Sequence, residues 1–189
     1  MQNDRNRKAG FGGLALAGLA AASCATAGIA AASGGRVETE AEGLASSYAA
    51  ANAALMKGDA RGFIEGIGGL TSDFVLMSPF GGEPSRAAEY TPDRIDRMGR
   101  FFRDGSFSQE VVASYAVKDM IVLVTIEHAD VAVGGLPRQP WALRVTSVFV
   151  RNGDGWSLAH RHADPLVQDV PLAEAAKLAR GERELAAER

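Results

Sequence analysis

Between residues 106 and 165 the chain carries four long runs of strand-forming residues separated by turn chemistry. They are "SFSQEVVASYAV", "MIVLVTIEHADVAV", "WALRVTSVFV" and "WSLAHRHADP". The joints are Lys118-Asp119, "GGLPRQP" and "NGDG". Joints this short can only connect antiparallel neighbours, because a parallel return needs a crossover of a dozen residues or more. The last 60 residues of the domain are therefore expected to be one antiparallel sheet.

What precedes them is mostly helical. Leu44, Tyr48, Ala51 and Leu55 recur at helical spacing inside an Ala-rich segment, which predicts a helix over 38–57 ended by Gly58 and Asp59. "ARGFIEGIGG" reads as a short helix or turn and "SDFVLMSP" as a strand. "TPDRIDRMGRFF" reads as a helix capped by Thr91, with Pro92 in its first turn. Helices segregated from strands point to an α+β fold. The expected architecture is a cone-shaped, curved antiparallel sheet packed on N-terminal helices, with a cavity between the two layers.

Residues 1–35 stand apart. Arg5, Arg7 and Lys8 precede an uncharged Ala/Gly/Leu stretch with small-residue cleavage sites ending at Ala27 or Ala32, the pattern of a secretory signal peptide. Export to the periplasm or the outside follows. "AASC" also looks like a lipoprotein box, which would tie the chain to a membrane through a lipid on Cys24; the alternative is a cysteine lost with the leader. Cys24 is the chain's single cysteine, so thiolate and disulfide chemistry are excluded from the domain. Residues 36–168 form the expected domain, and 169–189 a polar C-terminal helix or tail. A net charge of -3 argues against a nucleic-acid partner.

Two of the three histidines, His160 and His162, lie two apart in "HRHADP". Side chains two apart on a strand share a face. A three-residue Gly153-Asp154-Gly155 turn with a glycine bulge would set Val148 against His160, Thr146 against His162 and Arg144 against Asp164. Arg144, Thr146, His160, His162 and Asp164 would then form one polar row, with an Arg144–Asp164 ion pair. A two-residue Gly153-Asp154 turn would shift every partner by one. Three readings of the row stay open: a metal site joined by His128, a proton shuttle, or a hydrogen-bonded brace. No metal or other cofactor is assigned. Glu127, the one carboxylate within the run "IVLVTIEH", would be a base or ligand contact if it faces the cavity. Tyr48 could point its hydroxyl there.

The segments "YAAANAALMKGDARGFIEGI", "SDFVLMSPFGGEP" and "ALRVTSVFVRNGDGWSLAHRHADPL" resemble the SnoaL-like branch of the nuclear-transport-factor-2-like superfamily over about residues 40–168. The resemblance implies the α+β fold just described, often as a homodimer through the outer sheet face. The superfamily includes ketosteroid isomerases, cyclases and dehydratases, so fold does not fix function. The position matching the isomerase's base aspartate is Ser78, the one matching its tyrosine is Ala51, and its second aspartate falls near Ser147. Two functional classes remain. One is a proton-transfer enzyme acting on a small, partly apolar molecule, with His160 or His162 as acid–base, Arg144 holding an oxygen, Asp164 orienting them, and Tyr48, Thr146, Glu127 and His128 contacting the ligand. The other is a non-catalytic dimeric binding or accessory domain of the cell envelope.

Overall fold

The computed structural model describes residues 25–180, with side chains from residue 35 onward. Residues 1–24 of the expected leader, Cys24 among them, lie outside the described residues. Helix α1 runs Ala25–Met56 and α2 runs Ala60–Gly66. Strand β1, Leu70–Met77, leads through the two-residue β2, Ser85–Arg86, and a single 3-10 turn to α3, Pro92–Phe101. Then come β3 (Phe102–Val117), β4 (Met120–Val133), β5 (Gln139–Asn152), β6 (Gly155–Pro165) and α4 (Leu172–Ala179).

Local chemistry explains the boundaries. The Asp59 carboxylate accepts from the Gly62 amide and starts α2, and the Thr91 hydroxyl does the same for Arg94 in α3. Within the described residues helix α1 already covers Ala25 to the expected start at 38, an Ala-rich stretch that favours helix. Its buried stripe begins only at Ala41 and continues through Leu44, Ala45, Tyr48, Ala51, Asn52 and Leu55. The spacing is that of one helix face. Among the described residues no helix is long and apolar enough to cross a membrane.

The sheet corrects the expected shape. All six strands form one sheet in the order β2-β1-β6-β5-β4-β3, with β2 and β3 as its two edges. It is open, neither closed nor strongly curled, so the cone-shaped antiparallel sheet is not what forms. Closure would require the two edges to pair, and they lie at opposite ends. Nor is the sheet wholly antiparallel: β1 runs parallel to β6. The alternation of residues told which segments were strands but held no information on where β1 would insert. The mixed α+β class stands, with antiparallel pairs dominating and the helices on one face.

The β5–β6 hairpin combines both registers weighed from the sequence. Asn152 pairs with Gly155, so the loop is the two-residue Gly153-Asp154, with Gly153 at a positive φ of 59°. A bulge between Leu158 and His160 then absorbs one residue. Beyond it Val148 faces His160, Thr146 faces His162 and Arg144 faces Asp164. The turn differs from expectation while the downstream partners agree with it.

The core lies between the helices and one sheet face. Ile121, Leu123, Val131, Phe149 and Leu158 project from the sheet and are almost wholly buried. The ring of Tyr48 meets Phe149 edge-on, with centroids 5.4 Å apart.

Candidate functional site

Strand parity decides which residues can act together. On β4 the buried face carries Ile121, Leu123, Thr125, Glu127 and Val131; on β5 it carries Leu143, Val145, Ser147 and Phe149. Arg161 pairs with Ser147 across β5 and β6, so it shares this helix-facing side. The chain thus sets an arginine and a glutamate inside an otherwise apolar layer.

They meet there. Arg161 Nη2 donates to Glu127 Oε2 at 2.7 Å, and Arg161 Nε donates to Tyr48 Oη at 3.0 Å. The hydroxyls of Tyr48 and Ser147 share a hydrogen bond of 3.0 Å. Asn52, one turn after Tyr48, ties its amide to the Tyr48 carbonyl at 3.0 Å. The side chain of Glu127 is only 5% exposed and that of Arg161 14%. Burial alone would push the Arg161 guanidinium down, but the Glu127 carboxylate and then Tyr48 outweigh it, so its pKa stands above the ordinary value. Burial pushes the Tyr48 phenol up, and the Glu127 carboxylate adds to that. Tyr48 is therefore a neutral hydrogen-bonding group.

One atom of this network is unsatisfied. Glu127 Oε1 is buried with no hydrogen-bond partner, while Oε2 is held by Arg161. A buried acceptor left bare costs about 1–3 kcal/mol, so it calls for an explanation. Glu127 and Arg161 line a cavity of about 370 Å³ between the sheet and helices α1–α3. Its walls are mostly apolar, with Phe63, Phe74, Phe102, Phe107 and Trp141 among them. An apolar cavity of this size with a few convergent polar groups is the usual form of a small-molecule site.

Of the eight residues singled out by sequence, two belong to this network. Glu127 lines the cavity, and Tyr48 supports it from behind through Arg161. The row Arg144, Thr146, His160, His162 and Asp164 does come together, but its partners on β5 alternate with the buried Val145, Ser147 and Phe149. The row therefore sits on the opposite sheet face and lines no part of the cavity. Its Arg144–Asp164 ion pair is not formed. Asp164 Oδ2 instead lies 3.5 Å from His162 Nε2, both side chains about half exposed. His160 Nδ1 is bound to the Val75 carbonyl at 3.0 Å and so ties β6 to β1. His128 is exposed on the same outer face. Among the described residues no group of three or more His, Cys, Asp or Glu side chains could hold a metal ion.

Sequence reasoning missed Arg161, the arginine between the two histidines. The available signal was strand parity. Arg161 lies two residues before the apolar Ala163 and so shares the face of Val145 and Phe149. The three positions compared with the isomerase behave differently from one another. Ser78 lines the cavity and accepts from the Phe80 amide at 3.2 Å; Ala51 is buried core; Ser147 supports Tyr48.

Comparison with known proteins bears on the fold. A family model described as SnoaL-like domain matches residues 105–168, the span of β3 to β6. Among solved structures, a protein from Streptomyces avermitilis provisionally named a dehydratase of the nuclear-transport-factor-2-like family is similar. It is 19% identical with a TM-score of 0.54, over 71% of this chain and 99% of that one. A protein from Shewanella frigidimarina provisionally named a ketosteroid isomerase gives 18% identity and 0.50, over 68% and 97%. A domain from Thiobacillus denitrificans provisionally named a calcium/calmodulin-dependent kinase II association domain gives 18% and 0.51, over 67% and 94%. Comparison with curated proteins finds no match.

Proposed function

Starting from a chain with the fold of the nuclear-transport-factor-2-like, SnoaL-like superfamily, we propose that it binds a small apolar molecule and moves a proton at Glu127. The observation that carries this is Glu127, a residue of the apolar cavity's wall whose buried Oε1 has no hydrogen-bond partner. A ligand whose O–H, N–H or acidic C–H reaches Oε1 satisfies that atom and gains more from it than it would in water. Arg161 fixes the carboxylate through Oε2, and Tyr48 and Ser147 fix Arg161. Glu127 then acts as base, taking a proton from the ligand and returning it elsewhere, as isomerisation or dehydration requires. Relatives provisionally named an isomerase and a dehydratase support that class.

Two small probes test the reading. Binding of 2-naphthol is compared with 2-methoxynaphthalene, which lacks the donor, in the wild type and in Glu127→Gln. The wild type is expected to prefer the naphthol by about tenfold, the worth of one buried charge-assisted hydrogen bond. The glutamine can present its NH2 to the cavity and so cancel the preference. Exchange of the α-protons of 2-tetralone in D2O then reads proton transfer itself. Exchange above background that disappears in Glu127→Gln supports an enzyme. Binding without exchange supports the rival class, a non-catalytic binding domain.

A homodimer is proposed from a separate feature. The outer sheet face carries Val122, Val124, Ile126, Val148 and Val150, none of them buried by the described residues, and Tyr115 and Val117 beside them are more than 60% exposed. A second copy would cover these valines. Sedimentation of the wild type against Val124→Lys tests this: a dimer reduced to monomer is the expected outcome, and a monomeric wild type overturns it. The signal-like residues 1–35 support export, with Cys24 as the residue that would carry a lipid anchor.

A further inference from the structure

We propose that the ligand is an amphiphilic anion whose charged group rests at the cavity mouth on Arg97. The inference rests on the pocket reading above and extends it to the class of molecule. Helix α3 turns Arg94, Arg97, Met98 and Phe101 toward the cavity, positions three and four apart that share one helix face. The two guanidiniums differ in their surroundings. Arg94 Nη1 donates to Glu89 Oε2 at 2.7 Å, its Nη2 donates to Ser85 Oγ at 2.8 Å, and it lies 5.0 Å from the centre of the Tyr90 ring. Its charge is paired with Glu89 and two of its donors are held. Arg97 has no ion pair or hydrogen bond to its side chain among the described residues. The neighbouring Asp96 is taken by Arg61, at 2.8 Å.

Deeper in, Glu127 and Arg161 neutralise each other. The cavity is therefore lined by three chemically distinct zones: a neutral ion pair with an unpartnered acceptor at the inner wall, aromatic walls, and at the rim one arginine that holds no ion pair among the described residues. A neutral apolar ligand would use the first two and leave the third idle. A carboxylate, sulfate or phosphate placed deep inside would face the bare Oε1 and be repelled. The arrangement fits a molecule with a donor at one end, an apolar body, and an anionic group at the other end.

The test uses 10-hydroxydecanoate and its methyl ester, which share the donor and the chain but differ in charge. Both are titrated by calorimetry into the wild type, Arg97→Gln and Glu127→Gln. The acid is expected to bind about three- to tenfold more tightly than the ester in the wild type, the range of a rim-exposed ion pair strengthened by hydrogen bonding. Arg97→Gln is expected to remove that difference and leave the ester's affinity unchanged, and 0.5 M salt to narrow it. Glu127→Gln should weaken both ligands by the same factor. Equal binding of acid and ester in the wild type, or a preference that survives Arg97→Gln, overturns the amphiphile while leaving the Glu127 pocket standing. If neither compound binds, both readings are overturned. Arg97 is exposed, so its variant is expected to fold, and circular dichroism checks that it does.

Discussion

Replacing Arg161 with methionine should be among the most damaging single changes to this fold, although methionine fills a similar volume. The substitution leaves the Glu127 carboxylate, 5% exposed, without its charged partner and Tyr48 Oη without its guanidinium donor. Breaking a buried ion pair from one side costs about 3–5 kcal/mol, because the surviving charge has lost both water and partner. Glu127→Leu should cost about the same, by stranding the guanidinium instead. The double variant removes both charges and fills the space with apolar atoms. Such replacements are often neutral or stabilising, so it should return to within about 1 kcal/mol of the wild type. Tyr48 keeps its bond to Ser147 there and adds little cost. Urea unfolding followed by tryptophan fluorescence measures all four corners of the cycle, since Trp141 and Trp156 both pack against the core. If Arg161→Met costs less than about 1 kcal/mol, or if the double variant shows the sum of the two single losses, the pair is not a coupled buried unit. The reasoning built on it then fails. A stable double variant that no longer binds 2-naphthol in preference to its methyl ether would separate the pair's functional worth from its structural worth.

His162→Asn should change stability by no more than about 1 kcal/mol and leave probe binding intact, because the His162–Asp164 contact is half exposed and outside the cavity; calorimetry with 2-naphthol checks it. His160→Ala should cost about 1 kcal/mol through its lost bond to the Val75 carbonyl, read as a lower urea midpoint with unchanged affinity. Gly68→Ala should cost about 3 kcal/mol or more, since Gly68 has a φ of 71° and a Cβ there would run into the Trp156 carbonyl oxygen; a variant with the wild-type midpoint would refute that close approach. Helix α1 should loosen in acid. The hydrogen bond from Arg151 holds the Glu40 carboxyl below its ordinary value of 4.5, so the bridge contributes fully above that pH and is lost as pH falls through the lowered folded value. Thermal melts between pH 6 and 3 should show less acid sensitivity in Glu40→Gln.

The sequence showed where strands and helices would be far better than how the strands would be arranged. The four long runs and their turns were legible because alternation and turn residues are local signals. The insertion of β1 beside β6 is not local, and it is what makes the sheet mixed and open rather than an antiparallel cone. The hairpin shows the same limit on a smaller scale. The tight turn and the downstream partners are joined by a bulge after Leu158, and a bulge leaves no clear mark among "WSLAHRH". That single residue also governs which of His160, Arg161 and His162 faces the helices. Polar residue types drew attention to the histidines. Packing gave the interior to the arginine between them, because Glu127 on β4 and Tyr48 on α1 supply the charge and the acceptor that make its burial tolerable. Glu127 was visible from sequence as a lone carboxylate in an apolar strand, although its partner was not.

Whether the working face of the sheet is the one with Glu127 or the one with the histidines can be read directly by nuclear magnetic resonance. The Arg161 Nε–H, the Glu127 side-chain carboxyl carbon and the three histidine rings are followed while 2-naphthol is added. The expected result is saturable movement of the Glu127 and Arg161 signals, with the rings of His128, His160 and His162 still. Movement of the His160 and His162 rings with Glu127 silent would contradict it and return the site to the outer face.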